Sequence, residues 1–369
     1  MKKFTKAAVV LAAAGALALT GCGGGRTETP APGGSASGAA GGFEKGATIG
    51  VALPQKTSEN WVLAEGLFND GLKAAGYAPS VQFANGGVTE QQNQITAMVE
   101  KGAKVLIVGA IDGSQLGTQL ADAKAKGITV IAYDRLLTNT EDVDFYVAFD
   151  NFKVGQLQGQ ALLEGLAKRK GDKDKWNIEL IAGSPDDSNA KVFFDGAMDV
   201  LKPKIDDGTL TVVSKQTSFE QVVTQGWKAE NAQKRMDTVL SGFYQKADLD
   251  GILSPNDTLA RAAMAAVDAA SKDLPVVTGQ DSEVESVKSI MAGKQYSTIF
   301  KDTNKLVEHS IVMVNDLQAG KTPEVNDTES YNNGVKVVPS YLLPPVIVTQ
   351  ENAAEAYAND KTLGPLTKG

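Results

Sequence analysis

Residues 104–135, KVLIVGAIDGSQLGTQLADAKAKGITVIAYDR, leave this chain little choice of fold. Residues 105–108 and 128–132 are unbroken runs of aliphatic and β-branched side chains, the pattern of strands buried on both faces in a parallel sheet. Between them Leu116, Leu120, Ala121 and Ala123 recur at helical spacing, and Gly127 stands where a helix end needs a residue tolerant of positive φ. The unit is strand, helix, strand. In open α/β sheets ligands sit beyond the carboxyl ends of the strands, where Asp134 and Arg135 follow Tyr133. A carboxylate only accepts hydrogen bonds and a guanidinium only donates them, so the two together suit a neutral, hydroxyl-rich ligand. Taken alone, the pair is better read as a strand-end ion pair.

The same alternation runs along most of the chain. A strand over 47–53 leads into a helix with Trp61, Ala64, Leu67, Phe68, Leu72 and Ala75 on one face. A strand over 81–84 follows, then a helix through Ile95, Met98 and Val99 with a capping box from Thr89 and Gln92. After a strand at 146–149 the pattern restarts. Helices are expected at 154–168, 190–201, 229–244 and 258–270, with strands at 178–182, 210–213, 251–253 and 276–278. A helix at 284–291, a strand at 296–300, a helix at 303–317 and short strands at 335–338 and 346–348 complete it. Alternating strands and helices imply parallel sheets covered on both faces, and 369 residues that are 42% hydrophobic can bury two such cores. Two lobes leave a cleft between their strand ends, a preferred place for small ligands.

Composition removes several chemistries. The formal charge of −8 and the lack of a Lys/Arg cluster argue against a nucleic-acid partner. There is one cysteine, Cys22, and one histidine, His309, so no disulfide closes within the chain and Cys/His zinc sites lack ligands. A Ser-His-Asp triad would depend on His309 alone, which lies in an amphipathic helical stretch and reads as a packed or surface residue. No cofactor or metal is expected. Residues 1–6 carry three lysines and 7–19 are apolar, the pattern of a secretory signal. The junction Leu19-Thr20-Gly21-Cys22 resembles a bacterial lipobox, which makes Cys22 the lipidated N-terminus of the mature protein. Residues 23–42 are mostly Gly, Ala, Ser and Pro with little to bury, a flexible tether spanning about 25 Å.

IAYDRLL, FDNFKVGQLQ, GSPDDSNA, LSPND, GQDSEV and QYSTIFKDT, in this order, resemble the periplasmic sugar-binding proteins of ABC transporters. The similarity runs from about Ala47 to Pro345 and is nearest to the xylose-binding and multiple-sugar-binding branch of the ribose/galactose cluster. It implies a type I periplasmic binding protein, with two Rossmann-like lobes of parallel sheets joined by a three-segment hinge that close on one monosaccharide. The implied crossings fall near Phe149, at 279–281 and at 301–303. The division is then 1–21 signal peptide, 22–45 lipidated Cys and tether, 46–149 plus 281–301 first lobe, and 150–280 plus 302–369 second lobe.

Carried over from that family, the sugar contacts are Trp61, Asp134, Arg135, Asn189, Trp227, Asn256, Asp281 and Lys301. Asp134 and Arg135 would grip adjacent hydroxyls, Trp227 would lie on the apolar face of the pyranose, and Asn256 would bind sugar while Asp257 caps the next helix. Asp281 and Asp134 would pair with Lys301 and Arg135. Asn60 stands where the relatives have an arginine, a short amide in place of a long cation, so either another donor fills the space or the preferred sugar differs. The implied function is a lipid-anchored receptor, monomeric, that captures xylose, glucose, galactose or arabinose and hands it to the transmembrane subunits of an ABC permease. A sugar sensor facing a signalling receptor and an exported sugar-active enzyme are the alternatives. A sugar-responsive repressor would need a DNA-binding helix pair where the signal sequence lies.

Overall fold

The computed structural model describes residues 42–368 except 57 and 172. The secretory leader, Cys22 and the tether up to residue 41 lie outside the described residues. In the first lobe β1 (Thr48–Leu53), α1 (Glu59–Ala74), β2 (Ala78–Phe83), α2 (Val88–Glu100), β3 (Val105–Val108), α3 (Gly117–Ala125), β4 (Thr129–Tyr133) and β5 (Phe145–Phe149) follow in order. The second lobe takes α4 (Asn151–Lys170), β6 (Trp176–Leu180), α5 (Ser188–Asp206), β7 (Leu210–Val212) and a short α6 (Phe219–Val222). It continues through α7 (Ala229–Phe243), β8 (Gly251–Leu253), α8 (Asp257–Ala269), β9 (Val276–Val277), α9 (Val284–Met291) and β10 (Ser297–Phe300). Then α10 (Thr303–Gln318) and β11 (Ser340–Leu343) return to the first lobe, while β12 (Val346–Thr349) and α11 (Ala353–Ala356) end in the second.

The first sheet has the order β11-β5-β4-β3-β1-β2 with every pairing parallel. Its strands are apolar on both sides because helices cover both faces. Ile49, Val51, Leu53, Val105, Ile107, Ile131 and Tyr133 point towards α1 and α10, in one core with Phe68, Leu72, Leu306 and Met313. Ala52, Leu106, Val108, Val130 and Ala132 point the other way, against Ile95 and Met98 of α2 and Leu120 of α3. The second sheet, β7-β6-β8-β9, is also parallel. Leu162, Leu166 and Leu201 of α4 and α5 cover one face, and Met236, Val239, Ala263 and Val267 of α7 and α8 cover the other. Strands β10 and β12 form an antiparallel pair beside it.

The chain crosses between lobes at Phe149 to Asn151, at Phe300 to Thr303 and at Leu343 to Val346. This corrects the expected exchange of segments. Residues 281–301 pack on the second sheet, where Tyr296 and Ile299 are core residues, and it is 303–343 that returns to the first lobe. The middle crossing moves accordingly from 279–281 to the start of α10. Two local expectations also change. Helix α2 is preceded by Gly87 at φ 98, so Thr89 lies inside the helix, and Glu90 reaches back to the Gly86 amide in place of the Thr89–Gln92 box. Residues 335–338 contribute only an isolated bridge, Asn332 to Val337, because the pairing with β5 begins after Pro339. Ala121 faces solvent, and His309 stacks on Tyr341 with ring centroids 3.3 Å apart.

Helices α4 and α5 cross in close contact because glycine faces backbone at the crossing. A Cβ on Gly155 would lie 2.0 Å from the carbonyl oxygen of Phe193, and one on Gly196 would lie 2.2 Å from that of Phe152. Backbone cannot rotate away as a long side chain can, so the helices would have to separate. Gly155→Ala is expected to lower the unfolding free energy by about 1–3 kcal/mol, the usual cost of overpacking a core. Urea unfolding followed by circular dichroism measures it, and an unchanged midpoint would contradict the close approach.

Candidate ligand-binding site

Strand order reverses between β1 and β3 in the first sheet and between β6 and β8 in the second, the places where open α/β sheets form crevices. The loops after these strands carry the candidate residues. Asn60 and Trp61 follow β1, Asp134 and Arg135 follow β4, Asn189 follows β6, and Trp227 ends the long connection after β7. Asn256 follows β8, Asp281 follows β9 and Lys301 follows β10. All of them line one small cavity of about 30 Å³. Ser58, Asp187, Phe193 and Gln280 line it as well, and the sequence reading does not pick them out. Asp187 lies inside the PDDSNA motif, where an acidic residue before a helix reads as a cap. It is that cap, accepting from the Asn189 amide at 2.9 Å, but its other oxygen faces the cleft. Phe193 stands four residues after Asn189, hence on the same helix face.

The charges are buried and paired. Lys301, 7% exposed, lies 3.1 Å from Asp281 and 3.8 Å from Asp134. Burial disfavours its ammonium form, yet the two carboxylates outweigh that and raise its pKa. Its Nζ sits 5.5 Å from the centre of the Phe193 ring, so an aromatic face covers the remaining side. Burial pushes the carboxyls of Asp281 and Asp187 up, with Lys301 opposing the first and Arg135 the second. Arg135 pairs with Asp187 at 2.9 Å, not with Asp134 or Asp281, and this ion pair joins the two lobes. The reason is geometric: the Arg135 guanidinium donates to the carbonyl of Ala110 and lies over the Trp61 ring, which turns it towards α5.

A second set of bonds ties the lobes through backbone. The Asn189 side-chain amide donates to the Asp134 carbonyl at 2.9 Å and accepts from Asn151 at 3.0 Å, while the Tyr146 hydroxyl donates to the same carbonyl at 2.6 Å. The Ser188 hydroxyl donates to the Leu136 carbonyl. Asn189 therefore positions Asp134, with one amide hydrogen left near the Asp134 carboxylate at 3.4 Å. The roles expected of Asn256 and Asp257 are altered. Asn256 is the cap of α8, accepting from the Leu259 amide, and Asp257 is a fully buried strut held by Gln295, Thr298 and the Glu283 amide. Asn256 still lines the cavity, where its amide N–H groups remain to donate. Gln280 Oε1 is buried and has no hydrogen-bond partner among the described residues.

Backbone strain collects here. Among the described residues seven non-glycine residues have positive φ, and Asp134 (62°), Trp227 (54°) and Asp281 (89°) are three of them. Such conformations cost free energy and persist only where the surroundings fix them. Trp227 shows how. Its indole N–H donates to Asp187 at 3.0 Å, and its ring lies so close to Gly183 that a Cβ there would be 2.2 Å from it. The ring is thus held rigid at the wall of the cavity. No group of His, Cys, Asp and Glu among the described residues is arranged to hold a metal ion.

A family model described as a periplasmic binding protein domain matches residues 49–322, about three quarters of the chain. The chain belongs to the periplasmic binding protein family. Within that family it is 49% identical over 310 residues to the multiple sugar-binding periplasmic receptor ChvE of Rhizobium radiobacter, covering 83% of this chain and 87% of the relative. It is 36% identical over 313 residues to the D-xylose-binding periplasmic protein of Escherichia coli K12, covering 85% and 89%. A solved ABC-transporter solute-binding protein of Clostridium phytofermentans with bound β-D-glucose shares 41% identity and a TM-score of 0.83, over 87% of this chain and all of that one. The fold of this periplasmic binding protein is the expected α/β architecture of parallel sheets in two lobes.

Proposed function

We propose that this protein captures one aldose monosaccharide in the cleft and presents it to an ABC permease, with no bond made or broken. One observation carries the reading: hydrogen-bonding side chains from both lobes, with Trp61 and Trp227, converge on a single small cavity. Asp134 and Asp281 accept from sugar hydroxyls, while Arg135, Lys301 and Asn256 donate. Charge-assisted bonds in a desolvated cleft supply orientation, and the aromatic rings cover the apolar face. Hinge motion at the three crossings would open the cleft, and sugar favours the closed state by as much as it binds that state better. Export and anchoring through a lipidated Cys22 fit the leader read from the sequence. Among the described residues no helix is long and apolar enough to cross a membrane.

A thermal-shift panel tests it, because a ligand that binds only the native state raises apparent stability by mass action. At least one of xylose, glucose, galactose and arabinose should raise the unfolding temperature, and amino acids should leave it unchanged. A panel in which no monosaccharide acts would remove the reading.

A further inference from the structure

The cavity has a second side. Ser58, Asn60, Asp281 and Lys301 line both it and a larger neighbouring groove that runs between α1, the start of α10 and the C-terminal residues. These four side chains are the wall the two spaces share. The groove is not a generic polar surface. Val62 and Leu63, on the first turn of α1, are 48% and 46% exposed and line it from the first lobe. Phe300, half-buried and braced edge-on by Tyr357 at 5.1 Å, lines it from the second. Exposed amides and charges alternate with these: Asn304 and Lys305 at the start of α10, and Asn359 near the C-terminus. Glu59 crosses the groove floor and accepts from the Val284 amide at the start of α9, so the groove is closed underneath when the lobes meet.

We propose that this groove is a second sugar subsite, so that the protein accepts a disaccharide with one unit in the cavity and the other outside. The inference rests on the monosaccharide reading above and extends it. A glycosidic oxygen can still accept from Lys301 but has no hydrogen for Asp281, which would take its bond from a neighbouring hydroxyl, and a substituent on that oxygen would point towards the groove. There it meets what a pyranose needs: aliphatic and aromatic surface for its C–H face, and amides for its hydroxyls. Adjacency to the cavity, across a wall of residues shared by both, is what selects a sugar unit over any other occupant.

Isothermal titration of the full chain with monosaccharides and with maltose, cellobiose, gentiobiose and xylobiose tests this. At least one disaccharide built from an accepted monosaccharide should bind within roughly tenfold of that monosaccharide. Leu63→Asp should weaken the disaccharide roughly tenfold or more while leaving the monosaccharide within about twofold, and Asn304→Ala should act in the same direction. Both positions are exposed, so folding is not at stake. Monosaccharide binding with every disaccharide rejected overturns the subsite and leaves the parent reading intact. Disaccharide binding that is unchanged by Leu63→Asp overturns it as well, and would give the apolar rim to a protein partner. Failure of both sugar classes sinks the parent reading and this one together.

Discussion

A Lys301→Met protein will be about 3–5 kcal/mol less stable than the parent chain, the cost of removing one partner from a buried charge cluster. Lys301 is the cation between Asp281 and Asp134, at 3.1 and 3.8 Å, and all three are nearly inaccessible to water. Methionine fills the volume but leaves two carboxylates facing each other with no cation between them. The deficit should depend on pH. The Asp281 carboxyl is already raised by burial with Lys301 opposing, so losing Lys301 raises it further. A raised native-state value means the folded protein holds a proton that the unfolded chain has released, so stability rises as pH falls through the window between the ordinary 3.8 and that value. Denaturant unfolding at pH 5 and pH 8 should therefore show the smaller loss at pH 5. Adding Asp281→Asn should restore part of the loss, and a single variant as stable as the parent would show the cluster to be indifferent to its cation.

The second large effect is on affinity. Asp134→Ala should abolish the sugar-induced rise in unfolding temperature, because among the described residues the carboxylate is the first lobe's only charged acceptor in the cavity. A hydrogen bond to a charged group contributes about 1.5–3 kcal/mol, so affinity falls by about ten- to a hundredfold. Alanine also strains the backbone, since residue 134 sits at φ 62. Asp134→Asn separates the two causes. Asparagine tolerates the left-handed region, and the bonds from Tyr146 and Asn189 go to the residue 134 carbonyl, which any residue supplies. The asparagine variant should thus escape the backbone strain, losing only the longer of the two Lys301 ion pairs, and still bind sugar at least tenfold more weakly by titration. Binding at parental strength would take Asp134 out of the site.

Much of this architecture is legible in the sequence because burial on both faces leaves a plain mark. The runs at β3 and β4 are apolar without interruption, and Gly127 at φ 71 ends the intervening turn where expected. Periodicity, however, gives elements and not partners. Nothing in QYSTIF tells whether that strand joins the first or the second sheet, which is why the exchanged segment of the expected division falls in the wrong lobe. Site residues are legible where a motif holds them. Asp187 is not, because helix capping and ligand-wall roles ask for the same carboxylate, and only the fold shows one oxygen doing each. The positive φ of Asp134 and Asp281 leaves no trace in composition at all.

The return of α10 and β11 to the first sheet has a consequence for how the molecule is made. Strand β11 pairs with β5 across nearly two hundred intervening residues, Ser340 opposite Tyr146. Loop closure over such separations is slow, since its entropy is lost before the contacts it brings can form. Helix α10 must also arrive before the apolar side of β1, β3 and β4 is fully covered. The amino-terminal half thus emerges from the ribosome without its lid and its last strand, and it stays unfinished until almost the entire chain has been synthesised. A polypeptide wired this way is slow to lock into its final form.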